Sequence, residues 1–194
     1  MRKINWGLIG FGNVVKNNIN GFPFDSENSE LYAFFQRNMK EGIKNKKSTI
    51  SPNFILMLMI SRWCTYIDAI YICTPPGNHL EYAKLCCDFN KPTYIEKPFA
   101  RNYLEAIEIV EYFNSKNVPI WVAHYKRTLP RFLKIRELLQ RQVDESTISF
   151  NSERQYNSLL NNHKWLFNIE LSGGGRFFDI APHFVDLLVF YFGK

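Results

Sequence analysis

No stretch of the 194-residue sequence stays apolar for long. The longest such run, FILMLMI at 54–60, is far short of the roughly 18–20 residues that a membrane-crossing helix requires. A secretory leader is not expected either. The start, MRKINWGLIGFG, carries two basic residues, but its apolar segment breaks on glycines and offers no small-residue cleavage site. These absences predict a cytoplasmic protein without a membrane partner. Cysteine is scarce and badly spaced for metal: Cys64, Cys73, Cys86 and Cys87 follow no ligand pattern, and the adjacent pair falls in a helical stretch where neighbours point apart, so neither a zinc site nor a disulfide framework is expected. Internal repeats and low-complexity tracts are missing too. The net charge of +6 is spread along the chain instead of forming a basic arm, and no recognition motif accompanies it. That balance is compatible with small anionic ligands or with weak, nonspecific attraction to nucleic acid and identifies neither; without a recognition motif, a nucleic-acid partner is not expected.

What the chain does have is alternation. Strand-like runs at INWGLIG, ELYAFF, DAIYIC, PTYIEK and IWVAH are separated by helical patterns near 13–20, 38–47, 78–89 and 103–115. Buried parallel strands covered by helices on both faces produce such a pattern, so the fold class is α/β, doubly wound, over residues 1–123. From 124 to 194 the character changes. An amphipathic helix, LPRFLKIRELLQRQ, opens on Pro130, STISF reads as a strand, and SGGGRFFDIAPHFVDLLVFYFGK reads as a glycine-rich loop feeding a helix. This part reads as an incomplete second domain, with too few strands to close a sheet. Residues 40–65 fit the alternation poorly, a basic run there being followed by an apolar one. They read either as a buried strand with irregular flanks or as a local frame change.

Several motifs carry chemistry. In GLIGFGNVV, Gly10 and Gly12 follow the first strand and open a helix that Asn13 can cap. Such a turn lets the backbone, including Phe11 and Val14, approach a pyrophosphate at a helix N-terminus. At the third small position stands Val15, so the fingerprint is partial. The second strand ends in Gln36 and Arg37 where an acidic residue would hold a ribose hydroxyl. A guanidinium with no carboxylate beside it favours the 2′-phosphate of NADP over NAD, an ordinary exposed arginine being the other reading. CTPPGNH places Thr74, Pro75, Asn78 and His79 just beyond a strand, where the polar groups are expected to face the same crevice. YIEKPFA ends a strand in Glu96, Lys97 and Pro98, either as a surface turn or as part of a site. Gly10, Thr74, Glu96 and His124 each follow a strand of one parallel sheet, and ligands of such sheets bind outside the strands' carboxyl ends. An ammonium at Lys97 can hydrogen-bond a reacting oxygen while hydride moves. Downstream, Asp179 and His183 lie one helical turn apart, an imidazole suited to proton exchange and a carboxylate able to orient it. Asp186 makes a metal arrangement conceivable, but none is expected.

Taken in order, GLIGFGNVV, DAIYICTPPGNHLEYA, YIEKPFARN, VAHYKRTLPRFLKIRELL and SGGGRFFDIAPHFVDLLVFYFG resemble the Gfo/Idh/MocA family of oxidoreductases. The resemblance implies a Rossmann domain followed by an open-sheet α+β domain, and a nicotinamide enzyme acting on sugars, polyols or related hydroxy and carbonyl compounds. It implies that Lys97, Asp179 and His183 are catalytic, and that the Lys97–Pro98 bond is often cis. Trp165 resembles a residue that often precedes an arginine in that family, and Leu166 stands in the arginine's place. Family members commonly form oligomers through the second domain. In this sequence that domain stops just after the His183 helix, which implies a truncated substrate wall. The alternative is a noncatalytic descendant that at most binds a dinucleotide.

Overall fold

The computed structural model describes residues 2–10, 26–36, 53–56, 64–141, 149 and 164–193. The chain divides into two compact units, Met1–Val122 and Ala123–Lys194.

In the first unit the strands are β1 (Ile4–Ile9), β2 (Ser29–Gln36), β3 (Asn53–Leu56), β4 (Ala69–Ile72), β5 (Thr93–Ile95) and β6 (Ile120–Val122), with helices α1 (His79–Asp88) and α2 (Tyr103–Ser115) among them. They form one sheet in the order β3-β2-β1-β4-β5-β6, and every pairing is parallel. The order is that of a dinucleotide-binding sheet, with its reversal beside β1, and in such sheets ligands bind outside the carboxyl ends of the strands at that reversal.

The strands form because their side chains can be buried on both faces. One face gathers Ile9, Phe35, Ile70, Ile72 and Ile95 with Ala83 and Cys86 of α1 and Ile109 and Phe113 of α2; the other gathers Leu8, Phe34 and Tyr71. Successive residues Ile70, Tyr71 and Ile72 thus alternate between the two clusters, as a pleated strand requires. Burying each large apolar side chain contributes about 1.5–3 kcal/mol. Helix α2 starts where Asn102 caps it, its side-chain oxygen accepting the Glu105 N–H at 3.0 Å, a common helix-opening arrangement. Cys73, Cys86 and Cys87 form no disulfide, and no helix among the described residues is long and apolar enough to cross a membrane.

The irregular segment contributes β3, which pairs with β2 from Ala33↔Asn53 to Gln36↔Leu56. Apart from Cys64 and Thr65, which open a 3-10 turn (Cys64–Tyr66), the rest of that segment, and the helices expected at 13–20 and 38–47, lie outside the described residues.

The second unit holds α3 (Pro130–Arg141), α4 (Ile169–Ser172) and α5 (Gly175–Phe192), with 3-10 turns at Tyr125–Thr128 and Lys164–Phe167. Pro130 opens α3 as the sequence predicts, its missing N–H being one that a helix's first turn does not use. The strand expected at STISF lies outside the described residues except for Ser149. Leu166 is 4% exposed, which accounts for an apolar side chain at that position.

Candidate functional site

Three strands end together. Ile9 pairs with Ile72, and Ile72 with Ile95. The residues that follow are tied in the same row: Cys73 N–H donates to Ile9 O at 2.8 Å and Glu96 N–H to Ile72 O at 2.9 Å. Gly10, Thr74 and Glu96 therefore leave the sheet beside one another. Gly10 has φ +90°, and a Cβ placed on it would lie 2.8 Å from Thr74 Cγ2 and 3.1 Å from Thr74 N. Only glycine permits both that backbone angle and that approach. Thr74 Oγ1 is buried and has no hydrogen-bond partner among the described residues. A backbone turn without a side chain beside an unsatisfied hydroxyl fits the phosphate or ribose of a dinucleotide. Gly10→Ala is expected to destabilise the chain by about 1–2 kcal/mol from the left-handed backbone alone, and to displace the Thr74 loop. Titration with NADPH checks this, weaker binding than wild type being the expected outcome.

The loop after β4 departs from expectation at one residue. Pro75 is extended, Asn78 N–H donates to Pro75 O at 3.0 Å, and Asn78 precedes α1 without a side-chain capping bond. His79, expected to face the crevice, is fully buried. Its Nε2 lies 2.7 Å from Thr74 O and its Nδ1 3.1 Å from Phe99 O. The reason is that a fully buried imidazole needs polar partners, and the Thr74 and Phe99 carbonyls lie within reach of its nitrogens. The ring therefore lies between the Thr74 loop and the Phe99 turn, away from the crevice side expected of it.

Burial lowers the His79 pKa, against the raising effect of the nearby carbonyls of Thr74, Phe99 and Pro98 and of the Glu105 charge. The neutral ring has one N–H, and the nearer carbonyl, that of Thr74, is its natural acceptor. Because the folded value lies below the ordinary 6.5, the unfolded chain binds the extra proton first. The histidine's contribution is complete above that value and is lost as pH falls below it. Urea unfolding from pH 8 to pH 5 should show wild-type stability declining through this window. His79→Gln should start less stable and lack that component of the decline.

Beyond β5 the chain turns at Glu96, Lys97 and Pro98, with the Lys97–Pro98 peptide cis. The Glu96 carboxylate is held on both oxygens: the Tyr71 hydroxyl donates to Oε1, and the Lys97 N–H donates to Oε2 at 3.1 Å. Burial first, and then the charge of and hydrogen bond to Glu96, push the Tyr71 hydroxyl far above its usual range. Burial and then Glu96 push the Cys73 thiol up as well, so both groups keep their protons near neutral pH. Immediately after the turn, Arg101 Nε donates to Glu105 Oε1 at 2.8 Å and Arg101 N–H to Glu105 Oε2 at 3.1 Å. Burial acts to raise the Glu105 pKa, but the bonds from Arg101 outweigh it and hold the carboxyl below its ordinary value.

In the second unit, Asp179 and His183 lie on α5. That helix begins where Ser172 Oγ accepts the Gly175 N–H at 3.0 Å. Gly174 must lack a side chain, since a Cβ there would lie 2.2 Å from the Phe178 ring. His183 meets the Tyr125 ring edge-on at 5.6 Å between centroids. One turn further on, Asp186 accepts from Arg127 Nε at 2.9 Å to each oxygen and pairs with the Arg127 terminal nitrogen at 2.6 Å, with His124 Nδ1 3.8 Å away. Asp186 is thus engaged by a guanidinium. Among the described residues, no group of three or more His, Cys, Asp or Glu could hold a metal ion. Sequence reasoning missed Tyr71 and Arg127. The spacing 179, 183, 186 puts Asp186 on the helical face of Asp179 and His183 as a third polar residue, but it carries no signal for Arg127.

Phe11, Gly12, Asn13, Val14 and Arg37 lie outside the described residues, and Gln36 is described only as the last residue of β2.

Residues 4–124 match the family described as "Oxidoreductase family, NAD-binding Rossmann fold". Oxidoreductase P35 of Formosa agariphila is 38% identical over 99% of this chain and 61% of its own length. D-xylose 1-dehydrogenase (NADP(+)) of Hypocrea jecorina is 28% identical over 56% of this chain and 30% of its own. Among solved structures, aldose-aldose oxidoreductase from Caulobacter crescentus, complexed with glycerol, superposes over all of this chain and 58% of its own, with TM-score 0.81 and 16% identity. The chain therefore spans about three fifths of the length of the first of these relatives and of that structure.

Proposed function

The chain belongs to the Gfo/Idh/MocA oxidoreductase family, and from that membership we propose that it serves as an NADP-preferring oxidoreductase of sugars or polyols, working in the cytoplasm. The observation that carries the reading is the meeting of Gly10, Thr74 and Glu96 at three adjacent strand ends beside the sheet's reversal. Nicotinamide, when bound, supplies the hydride chemistry. The chain's own part is to seat the dinucleotide with the Gly10 turn and the Thr74 hydroxyl. Lys97 then donates a hydrogen bond to the reacting oxygen, and His183, oriented by Asp179, exchanges that oxygen's proton. Gln36 and Arg37 support NADP, since neither repels a 2′-phosphate. The NADP-linked D-xylose dehydrogenase among the relatives agrees with that cofactor and with a sugar substrate.

The test is titration of the purified chain with NADPH and NADH, followed by turnover with D-xylose, other aldoses and inositols. Tighter NADPH binding together with turnover of a member of that panel is the expected result. Binding without turnover would identify a dinucleotide-binding protein instead, and no binding of either nucleotide would overturn the whole reading.

A further inference from the structure

We propose that Tyr71 is a positioning residue for Lys97, acting through Glu96; the proposal rests on the assignment of Lys97 to the reaction. Tyr71 lies in the middle of β4, and its ring is packed with Leu8 and Phe34 and set 5.2 Å from the Tyr94 ring. That packing leaves the hydroxyl little freedom to wander. The hydroxyl donates to Glu96 Oε1, and Glu96 Oε2 accepts the Lys97 N–H at 3.1 Å. A carboxylate free to rotate could satisfy the amide of Lys97 in several orientations. One pinned on its other oxygen satisfies it in a single orientation, and the backbone that carries the Lys97 side chain is fixed with it. The clamp is therefore a three-member chain, from a rigid strand through a carboxylate to the amide of the reacting residue. Such supporting contacts keep a catalytic group within the narrow geometry that chemistry demands.

Burial keeps the Tyr71 hydroxyl protonated at neutral pH, so it remains a donor throughout the working range. Phenylalanine at position 71 would keep the ring and remove only that donor. Glutamine at position 96 would keep the volume but leave one acceptor oxygen; if that oxygen keeps the Lys97 amide, Tyr71 can only accept from the NH2, and neutral bonds replace the charge-assisted ones that pin the carboxylate.

The experiment is site-resolved amide hydrogen exchange, by NMR, on the full chain and on Tyr71→Phe, Glu96→Gln and the double variant. Exchange at Lys97 N–H should quicken by about tenfold in either single variant, with no further gain in the double variant. The β5 amides of Tyr94 and Ile95 should be unchanged. In turnover, Tyr71→Phe should lower kcat and leave KM for NADPH alone. Uniform quickening across β5 would mark Tyr71 as merely stabilising and overturn the proposal, as would a Lys97 amide that does not respond. If Lys97 responds but Lys97→Ala retains full turnover, the catalytic assignment of Lys97 fails and the proposal, which rests on it, falls too. A failure confined to the exchange data leaves the proposed function intact.

Discussion

Lys97→Ala should lower turnover about 10²–10⁴-fold, the usual range for removing a positioned proton donor, while NADPH affinity stays within about threefold, a change of less than one kcal/mol. The asymmetry follows from what the turn does. The Gly10 turn and the Thr74 hydroxyl are the features assigned to the dinucleotide, and neither depends on the Lys97 side chain. The turn's backbone is held by Glu96, which accepts the Lys97 N–H. Removing the ammonium leaves all of these contacts in place. Lys97→Arg keeps the charge but spreads it over a plane with different reach, so it should restore part of the rate and not all of it. Steady-state kinetics with whichever sugar of the panel turns over, paired with NADPH titration, separates the two quantities. A fall in affinity matching the fall in rate would place Lys97 in cofactor binding instead.

The sheet was legible in the sequence because its strands are short, apolar and separated by patterned helices, and because Gly10 marks the end of β1 by backbone chemistry alone, as Pro130 marks the start of α3. What sequence could not disclose are partnerships between residues far apart in the chain. Tyr71 reads as one more apolar strand residue, and only the register of β4 beside β5 brings it to Glu96, 25 residues away. His79 reads as a polar helix start. Its ring turns inward between the Thr74 and Phe99 carbonyls, an arrangement that appears only once those two loops fold against each other. Asp186 illustrates the same limit from the other side: its helical spacing with Asp179 and His183 was visible, and its guanidinium partner, 59 positions earlier, was not.

That partner sets the second large effect. The Arg127 side chain is 41% exposed and that of Asp186 only 7%, so the two halves of the pair are not equivalent. Without the carboxylate, the guanidinium can turn to water and rest over Phe190, which it already faces at 5.6 Å. Without the guanidinium, the buried carboxylate retains, among the described residues, the His124 ring at 3.8 Å. Stranding a buried charge is the costlier event. Arg127→Met should therefore destabilise the second unit by about 2–4 kcal/mol, and Asp186→Asn by about 1 kcal/mol. The double variant should be no worse than Arg127→Met, since the two losses are one interaction. Urea unfolding of the three variants measures this order. Tyr125 lies between His124 and Arg127 and packs on His183, so Arg127→Met should also shift the His183 ring resonances while those of His79 stay put. Equal costs for the two single variants would mean that exposure does not govern the pair, and an unmoved His183 would separate the ion pair from the histidine it is argued to steady.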